Sequence, residues 1–275
     1  MNGKIVLVTG ATSGIGLASV RAIAALGAHV VVGGRDAARV AGVVAETRSA
    51  GGAASPLAFD IASFAAVRAA AKTFGQQHGR LDVLVNNAGV VLRKRQTSVD
   101  GHELTWATNV LGLALLTRSL LPLLRAAPEP RVVNVSSEAH KYGRIAWDDV
   151  ELERARYTGI RAYAQSKLAV NLYTRELARR EPHVAANAVH PGAIATDIWR
   201  SLPFLLRALL ARTLPPAERG AVPVVRLATG DDVRGRSGRY FDKLVETEPS
   251  PRSRDDAAAA RLWDLLETTF SSEER

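Results

Sequence analysis

The chain has no cysteine among its 275 residues, which removes disulfides, thiolate metal ligands and a cysteine nucleophile together. It also has no tract of glycine, serine, glutamine or proline long enough to act as a linker, so one domain over 1–275 is expected, with disorder confined to the ends. A signal-peptide pattern is missing: MNGKIVLVTG has one lysine before a short apolar run and passes straight into a glycine-rich turn, so the expected location is cytoplasmic. No apolar run is read as long enough for a membrane span, which takes roughly 18 to 20 residues; even SLPFLLRALLARTLPP is broken by Arg207 and Arg212. Paired ligand spacing is absent among His78, His102, His140 and His183, so no metal site is expected. The net charge of +9 would suit a nucleic-acid partner, but the arginines are scattered, the densest cluster is Arg93-Lys94-Arg95, and no basic stripe is interleaved with aromatics. A solvated cationic surface is the reading, with no nucleic acid.

What is present is an alternation of short valine- and alanine-rich runs with longer helical patterns. Strands are predicted at Lys4–Thr9, His29–Gly33, Ala54–Phe59, Val83–Asn86, Arg131–Ser136, Val184–Val189 and Gly238–Phe241. The first runs are almost continuously apolar, as strands become when helices cover both faces of a parallel sheet. The predicted fold class is therefore α/β, a doubly wound parallel sheet of about seven strands. A last helix is predicted over Asp255–Phe270, where Ala258, Leu262, Leu265 and Leu266 form one stripe.

TGATSGIG follows the first strand and opens the first helix, placing Gly10, Gly14 and Gly16 where the backbone turns and a ligand can approach. A helix N-terminus with unpaired N–H groups is a seat for a pyrophosphate, although such glycines can also make a plain turn. At the end of the second strand, where an acid would bind the ribose 2′-hydroxyl of NAD, the chain has Gly33-Gly34 followed by Arg35. A guanidinium there favours a 2′-phosphate, hence NADP(H) over NAD(H), with Asp36 as the cap of the next helix. Tyr163 and Lys167 stand four residues apart in YAQSK, one helical turn on one face, a spacing that lets a cation favour the phenolate. Tyr157 and Tyr173 lack a lysine at that spacing. Taken alone, the pair reads as a helix tyrosine packed on the core with Lys167 reaching to water.

With TGATSGIG, Asp60-Ile61, Asn86-Asn87-Ala88-Gly89 and HPGAIATD from His190 to Asp197, the chain resembles the short-chain dehydrogenase/reductase family over essentially its whole length. Asn109, Ser137, Tyr163 and Lys167 fall in the order and approximate spacing of that family's catalytic tetrad. GGRD, NVSSEAH, YAQSKLA, GRYF and EPSPRSRDDAAAARLW are similar to its retinol dehydrogenase-like branch and the WW-domain oxidoreductase group, whereas NVLGLA departs from that branch's common NHLGH. The resemblance implies a Rossmann-type fold and an oxidoreductase moving hydride between nicotinamide and an alcohol or carbonyl carbon. In it Tyr163 is the acid/base, Ser137 rather than Ser136 bonds the substrate oxygen, Lys167 also bonds the nicotinamide ribose, and Asn109 holds a relay water. The implied cofactor contacts are Gly10, Thr12, Ser13, Gly14, Ile15, Gly16, Arg35, Asp60, Ile61, Asn87, Ala88, Gly89, Tyr163, Lys167, Pro191, Gly192, Ile194 and Thr196.

Leu202, Leu205, Leu206, Leu209 and Leu210 form an apolar face after HPGAIATD, where the family has its variable substrate lid. A lipophilic alcohol, aldehyde or ketone is the expected substrate, and a subunit contact or a membrane-surface contact are the other readings of that face. Pairing through Gly101–Arg125 and Tyr163–Arg179, the family's habit, would make a homodimer or homotetramer. Two rivals use the same frame: an epimerase or dehydratase, which would carry a larger C-terminal domain, and a nucleotide-binding sensor without turnover.

Overall fold

Valine-rich strands with no polar face need helices on both sides, and the computed structural model, which describes residues 1–194 and 215–272, supplies them. Among the described residues, eight strands form one sheet in the order β3-β2-β1-β4-β5-β6-β7-β8. They are β1 Ile5–Val8, β2 His29–Gly34, β3 Ala53–Ala58, β4 Val83–Asn86, β5 Arg131–Val135, β6 Ala185–His190, β7 Tyr240–Asp242 and β8 Val245–Thr247. All neighbours from β3 to β7 pair in parallel. Side chains alternate across the sheet: Leu7 joins Phe74, Leu111, Leu172 and Phe270 on one face, while Val6 and Val8 join Val20, Ile23, Val224 and Leu227 on the other.

The strand order reverses between β1 and β4. In a doubly wound sheet the crevice beyond the C-terminal strand ends at that point receives the ligand. The helices flanking it start where the chain provides caps. Asp36 accepts from Ala38 and Arg39 N–H to open α2 (Ala37–Ser49), Ser63 from Ala66 to open α3 (Phe64–Gln77), and Thr158 from Arg161 to open α5 (Gly159–Arg180). The first helix, α1 (Gly14–Ala25), differs: its N-cap Ser13 makes no side-chain capping bond, so the donors of its first turn are left for something else.

The long helix α4, Leu104–Arg125, corrects one expectation, because it is long and apolar enough to cross a membrane by length and composition. Most of it is buried inside the fold, where Leu111, Leu115, Leu116, Leu120 and Leu124 are inaccessible core residues. It is a core helix, apolar because it is covered. Between Ala107 and Leu111 it winds as a π turn around Asn109, and immediately after, Gly112 lies against the loop that follows β3: a Cβ there would stand 1.9 Å from the Ile61 carbonyl oxygen.

The C-terminal part adds a strand that the sequence does not announce. β8 pairs antiparallel with β7 across a turn at Lys243-Leu244, which brings the described strands to eight. At three residues, with two of them exposed and no apolar alternation, it carries no periodic signal. After α6 (Ala217–Thr229), β7 and β8, α7 runs over Asp256–Ser272, close to the expected bounds. It packs along α5 and reaches α4 and α3: Trp263 stacks on Tyr173 at 5.6 Å, Phe270 meets Phe64 of α3 edge-on at 5.7 Å, and Glu267 and Asp256 pair with Arg118 and Arg175. Part of the helical surface proposed for subunit pairing is thus occupied by the chain's own last helix. The lid leucines Leu202, Leu205, Leu206, Leu209 and Leu210, with Thr196 and Asp197, lie outside the described residues.

Candidate active site

The cradle is assembled by close backbone approach. Gly10 turns the chain after β1 with φ +62°, a region costly for side-chain-bearing residues. Gly16 lies one turn into α1, and a Cβ on it would sit 2.2 Å from the Gly10 carbonyl oxygen and 2.5 Å from Asn87 Nδ2. Asn87 is the rivet. Its Nδ2 donates to the carbonyls of Thr9 (2.9 Å) and Gly10 (3.2 Å), while the Asn87 and Ala88 N–H groups donate to Thr9 Oγ1 at 3.0 and 3.1 Å. The turns after β1 and β4 are therefore one unit. Thr9, buried and central to it, was not singled out by sequence reasoning, since a threonine at a strand end has no distinctive pattern.

The uncapped start of α1 faces this cradle with Gly14, Ile15 and Gly16, and its N–H donors and partial positive charge fit a pyrophosphate. Beyond it, Arg35 is largely exposed and its guanidinium stands 4.0 Å from Asp60. Asp60 Oδ1 accepts from Ala62 N–H, which shapes the loop carrying Ile61. A second guanidinium, missed by the sequence reading, is Arg39, which donates to the Thr12 carbonyl at 3.0 Å and so brings a second cation to the rim where Arg35 stands. The available signal was its position on the first turn of α2, four residues after Arg35. Asp36 is a cap, as expected.

The structure brings the four tetrad residues to one end of the sheet. Tyr163 and Lys167 share a face of α5, with the ammonium 5.5 Å from the phenol ring centre. Ser137, just beyond β5, lies near enough to the Tyr163 phenol to lower its pKa, whereas Ser136 is buried and donates to the Lys167 carbonyl at 3.5 Å. Burial pushes the Tyr163 phenol up to about 12, against the lowering effect of Ser137, and burial pushes the Lys167 ammonium down to about 8. Lys167 Nζ donates to the Val135 carbonyl at 2.8 Å, which leaves two hydrogens for a ligand. Gly89 borders it: a Cβ there would lie 3.6 Å from Lys167 Nζ and 3.4 Å from Asn109 Oδ1.

The Asn109 side chain is hydrogen-bonded through both its amide atoms. Its Nδ2 donates to the Val90 carbonyl (3.1 Å) and to Ser166 Oγ (2.9 Å), and its Oδ1 accepts from Val90 N–H (2.8 Å), tying the loop after β4 to α5 beside Lys167. The other tyrosines are structural. Tyr157 donates to Glu103 at 2.9 Å, and Tyr173 is buried against α4 and Trp263. His140 is fully buried and bonded to backbone on both ring nitrogens, which removes it as an acid/base. Pro191, Gly192 at φ +99° and the buried Ile194 close the site beyond β6; Thr196 lies outside the described residues.

A family model described as short chain dehydrogenase matches residues 4–203. Among curated proteins, mouse retinol dehydrogenase 14 is 40% identical over 288 residues, covering 97% of this chain and 86% of the relative. Mouse polyprenol dehydrogenase is 38% identical over 275 residues, covering 95% and 82%. Among solved structures, an uncharacterized protein from Mycobacterium paratuberculosis superimposes with a TM-score of 0.79 at 32% identity, covering 98% of this chain and 94% of that one. The Pseudomonas aeruginosa RhlG/NADP active-site complex superimposes with a TM-score of 0.72 at 28% identity, covering 88% and 95%.

Proposed function

The chain belongs to the short-chain dehydrogenase family and is an oxidoreductase of CH–OH and C=O groups, and from that premise we propose that it prefers NADP(H) and acts on a lipophilic, isoprenoid-type alcohol or aldehyde. The observation that carries the reading is the pairing of Tyr163 and Lys167 on one face of α5, beside Ser137 and at the same sheet end as an uncapped helix N-terminus. When bound, the nicotinamide gives or takes the hydride. The chain's own residues manage the oxygen: Ser137 Oγ orients it, and the Tyr163 hydroxyl donates a proton to it during reduction and takes one back during oxidation. Lys167 contributes positive charge toward the phenol and N–H donors toward the cofactor ribose. Asn109 keeps the Val90 loop and α5 at fixed separation around them.

The NADP(H) preference is supported by Arg35 and Arg39 at the rim of the cradle, with no acid at positions 33 and 34, and by the NADP-bound neighbour. The substrate class is supported by the names of the relatives, since retinol and polyprenols are both isoprenoid allylic alcohols. Self-association through whatever α7 leaves open of α4 and α5 belongs to the same proposal.

A titration of the purified protein with NADPH and NADH, read by energy transfer from its four tryptophans, tests the cofactor arm. NADPH binds more tightly, and Arg35→Ala and Arg39→Ala each weaken it by about tenfold or more, as loss of a charge-assisted bond does, with NADH unaffected. A substrate panel of all-trans-retinal, a long-chain polyprenal and small polar carbonyls tests the rest. Tyr163→Phe lowers turnover by about 10²- to 10⁴-fold with NADPH binding intact. Tighter NADH binding, or turnover confined to small polar carbonyls, would sink the corresponding half of the proposal.

A further inference from the structure

The loop that carries Ser137 is held from outside the catalytic face by one histidine. Ser137 caps the short helical turn Glu138–Tyr142, with its Oγ accepting from Ala139 N–H at 3.2 Å, and His140 is the buried member of that turn. The imidazole Nδ1 lies 2.7 Å from the Ser137 carbonyl oxygen, and Ser250 N–H points at Nε2 from 3.2 Å. A backbone N–H can only donate, so Nε2 is the acceptor. Nδ1 therefore carries the proton and donates it to the carbonyl of Ser137, and the ring is neutral with its tautomer fixed by two backbone partners.

The partner segment lies 110 residues downstream and is itself well anchored. Ser250 Oγ bonds Ser253 Oγ at 3.0 Å, Asn171 of α5 donates to Ser253 Oγ at 3.4 Å, and Arg252 donates to the Gly143 carbonyl at 3.3 Å. The turn is also seated on α5 from inside: a Cβ at Gly143 would meet the Ala164 carbonyl oxygen at 2.4 Å, one residue after Tyr163. The far edge of the ring packs on Tyr240 of β7, centroids 4.8 Å apart. His140 thus joins the Ser250–Arg254 segment to the backbone of the residue that must hold its hydroxyl against Tyr163.

We propose that His140 is a positioning residue, which transmits the fixed placement of the Ser250–Arg254 segment to Ser137 through its two ring nitrogens and so sets the Ser137–Tyr163 contact. It touches neither substrate nor cofactor. The proposal rests on the reading of Ser137 as the substrate-oxygen ligand, and the two bonds of the ring can be separated. Asparagine places an amide nitrogen near Nδ1 and keeps the bond to Ser137 while losing Ser250. Glutamine reaches the Nε2 position and does the reverse. Phenylalanine keeps the packing on Tyr240 and loses both.

The experiment compares His140→Asn, His140→Gln and His140→Phe with the unaltered protein, each with bound NADPH, by hydrogen exchange and by steady-state reduction of all-trans-retinal. His140→Phe speeds exchange in peptides covering both 134–142 and 248–254, and lowers kcat by about tenfold, the equivalent of one lost buried hydrogen bond, with KM unchanged. His140→Asn restores protection in 134–142 and restores kcat but leaves 248–254 exposed, while His140→Gln protects 248–254 and keeps the kcat defect. If His140→Phe binds no NADPH, the asparagine and glutamine pair decides. Unchanged exchange in 134–142 for His140→Phe, or equal kcat for the asparagine and glutamine variants, overturns the proposal. If all-trans-retinal is not turned over by the unaltered protein, the kinetic arm uses whichever carbonyl of the panel is; if none is, the functional reading fails and the exchange measurement alone decides the role of His140.

Discussion

The two ends of the site are fixed by opposite means. At the phosphate end, position is set largely by missing atoms: without a Cβ, Gly16 lets α1 close on the Gly10 carbonyl and on the Asn87 amide that ties the same turn. At the catalytic end it is set by buried polar groups, with Asn109, Ser166, Lys167 and the Val135 carbonyl each satisfied by a specific partner. Excluded volume fails abruptly, because a few tenths of an ångström cannot absorb a methyl group. Hydrogen bonding fails by degrees and with pH, because it depends on charge and partner.

The sharpest way to break the contrast is Gly16→Ala. A Cβ 2.2 Å from a backbone oxygen has no flexible neighbour to displace, so a stability loss of about 3 kcal/mol or more is expected by urea unfolding, with NADPH affinity down by about a hundredfold. Near-normal binding would mean that the cradle yields, and that the two ends are less different than drawn.

Lys167→Met tests the other end. Burial lowers the Lys167 ammonium from 10.5 to about 8, so folding releases its proton across that range. The penalty on the folded state is full below about pH 8 and gone above about pH 10.5. Removing the charge therefore stabilises the protein more at pH 7 than at pH 10, by about 2–3 kcal/mol, while abolishing turnover. Equal effects on the urea midpoint at both pH values would show that the folded lysine keeps an ordinary affinity for protons.

The smallest effect comes from the control. Gly42 is an exposed glycine inside α2 with nothing within 4 Å of its Cβ position, so Gly42→Ala should raise stability by about 0.5–1 kcal/mol and leave NADPH binding alone. A loss of binding there would tie α2, and with it Arg39, to the cradle more tightly than packing indicates.

The sequence displayed the parts of this site that depend on residue type at short spacing. Glycines after an apolar strand, and a tyrosine with a lysine one helical turn on, are visible because local geometry alone makes them useful. Ser137 could be told from Ser136 only by resemblance, because the distinction depends on which hydroxyl the end of β5 points at Tyr163 and which at α5. Thr9 and Arg39 stayed hidden because they act on backbone atoms of other segments. The π turn around Asn109 was invisible too, since shifting the bonding register of a buried helix leaves its apolar pattern almost intact. β8 is too short and too exposed to have a period, and the apolar helix α4 shows the converse, a membrane-like composition produced by burial in protein.

The contact of Gly112 with the Ile61 carbonyl makes α4 a gauge block. The loop that includes Asp60 and Ile61 rests against it at Gly112, and Asn109, three residues earlier on the same helix, holds Val90 and Ser166. A redesign of the Asp60–Ile61 loop for a different cofactor therefore has a hard stop to respect: a graft that shifts the Ile61 carbonyl toward the helix pushes on the scaffold that spaces the catalytic end, and errors at one end of the site are read out at the other.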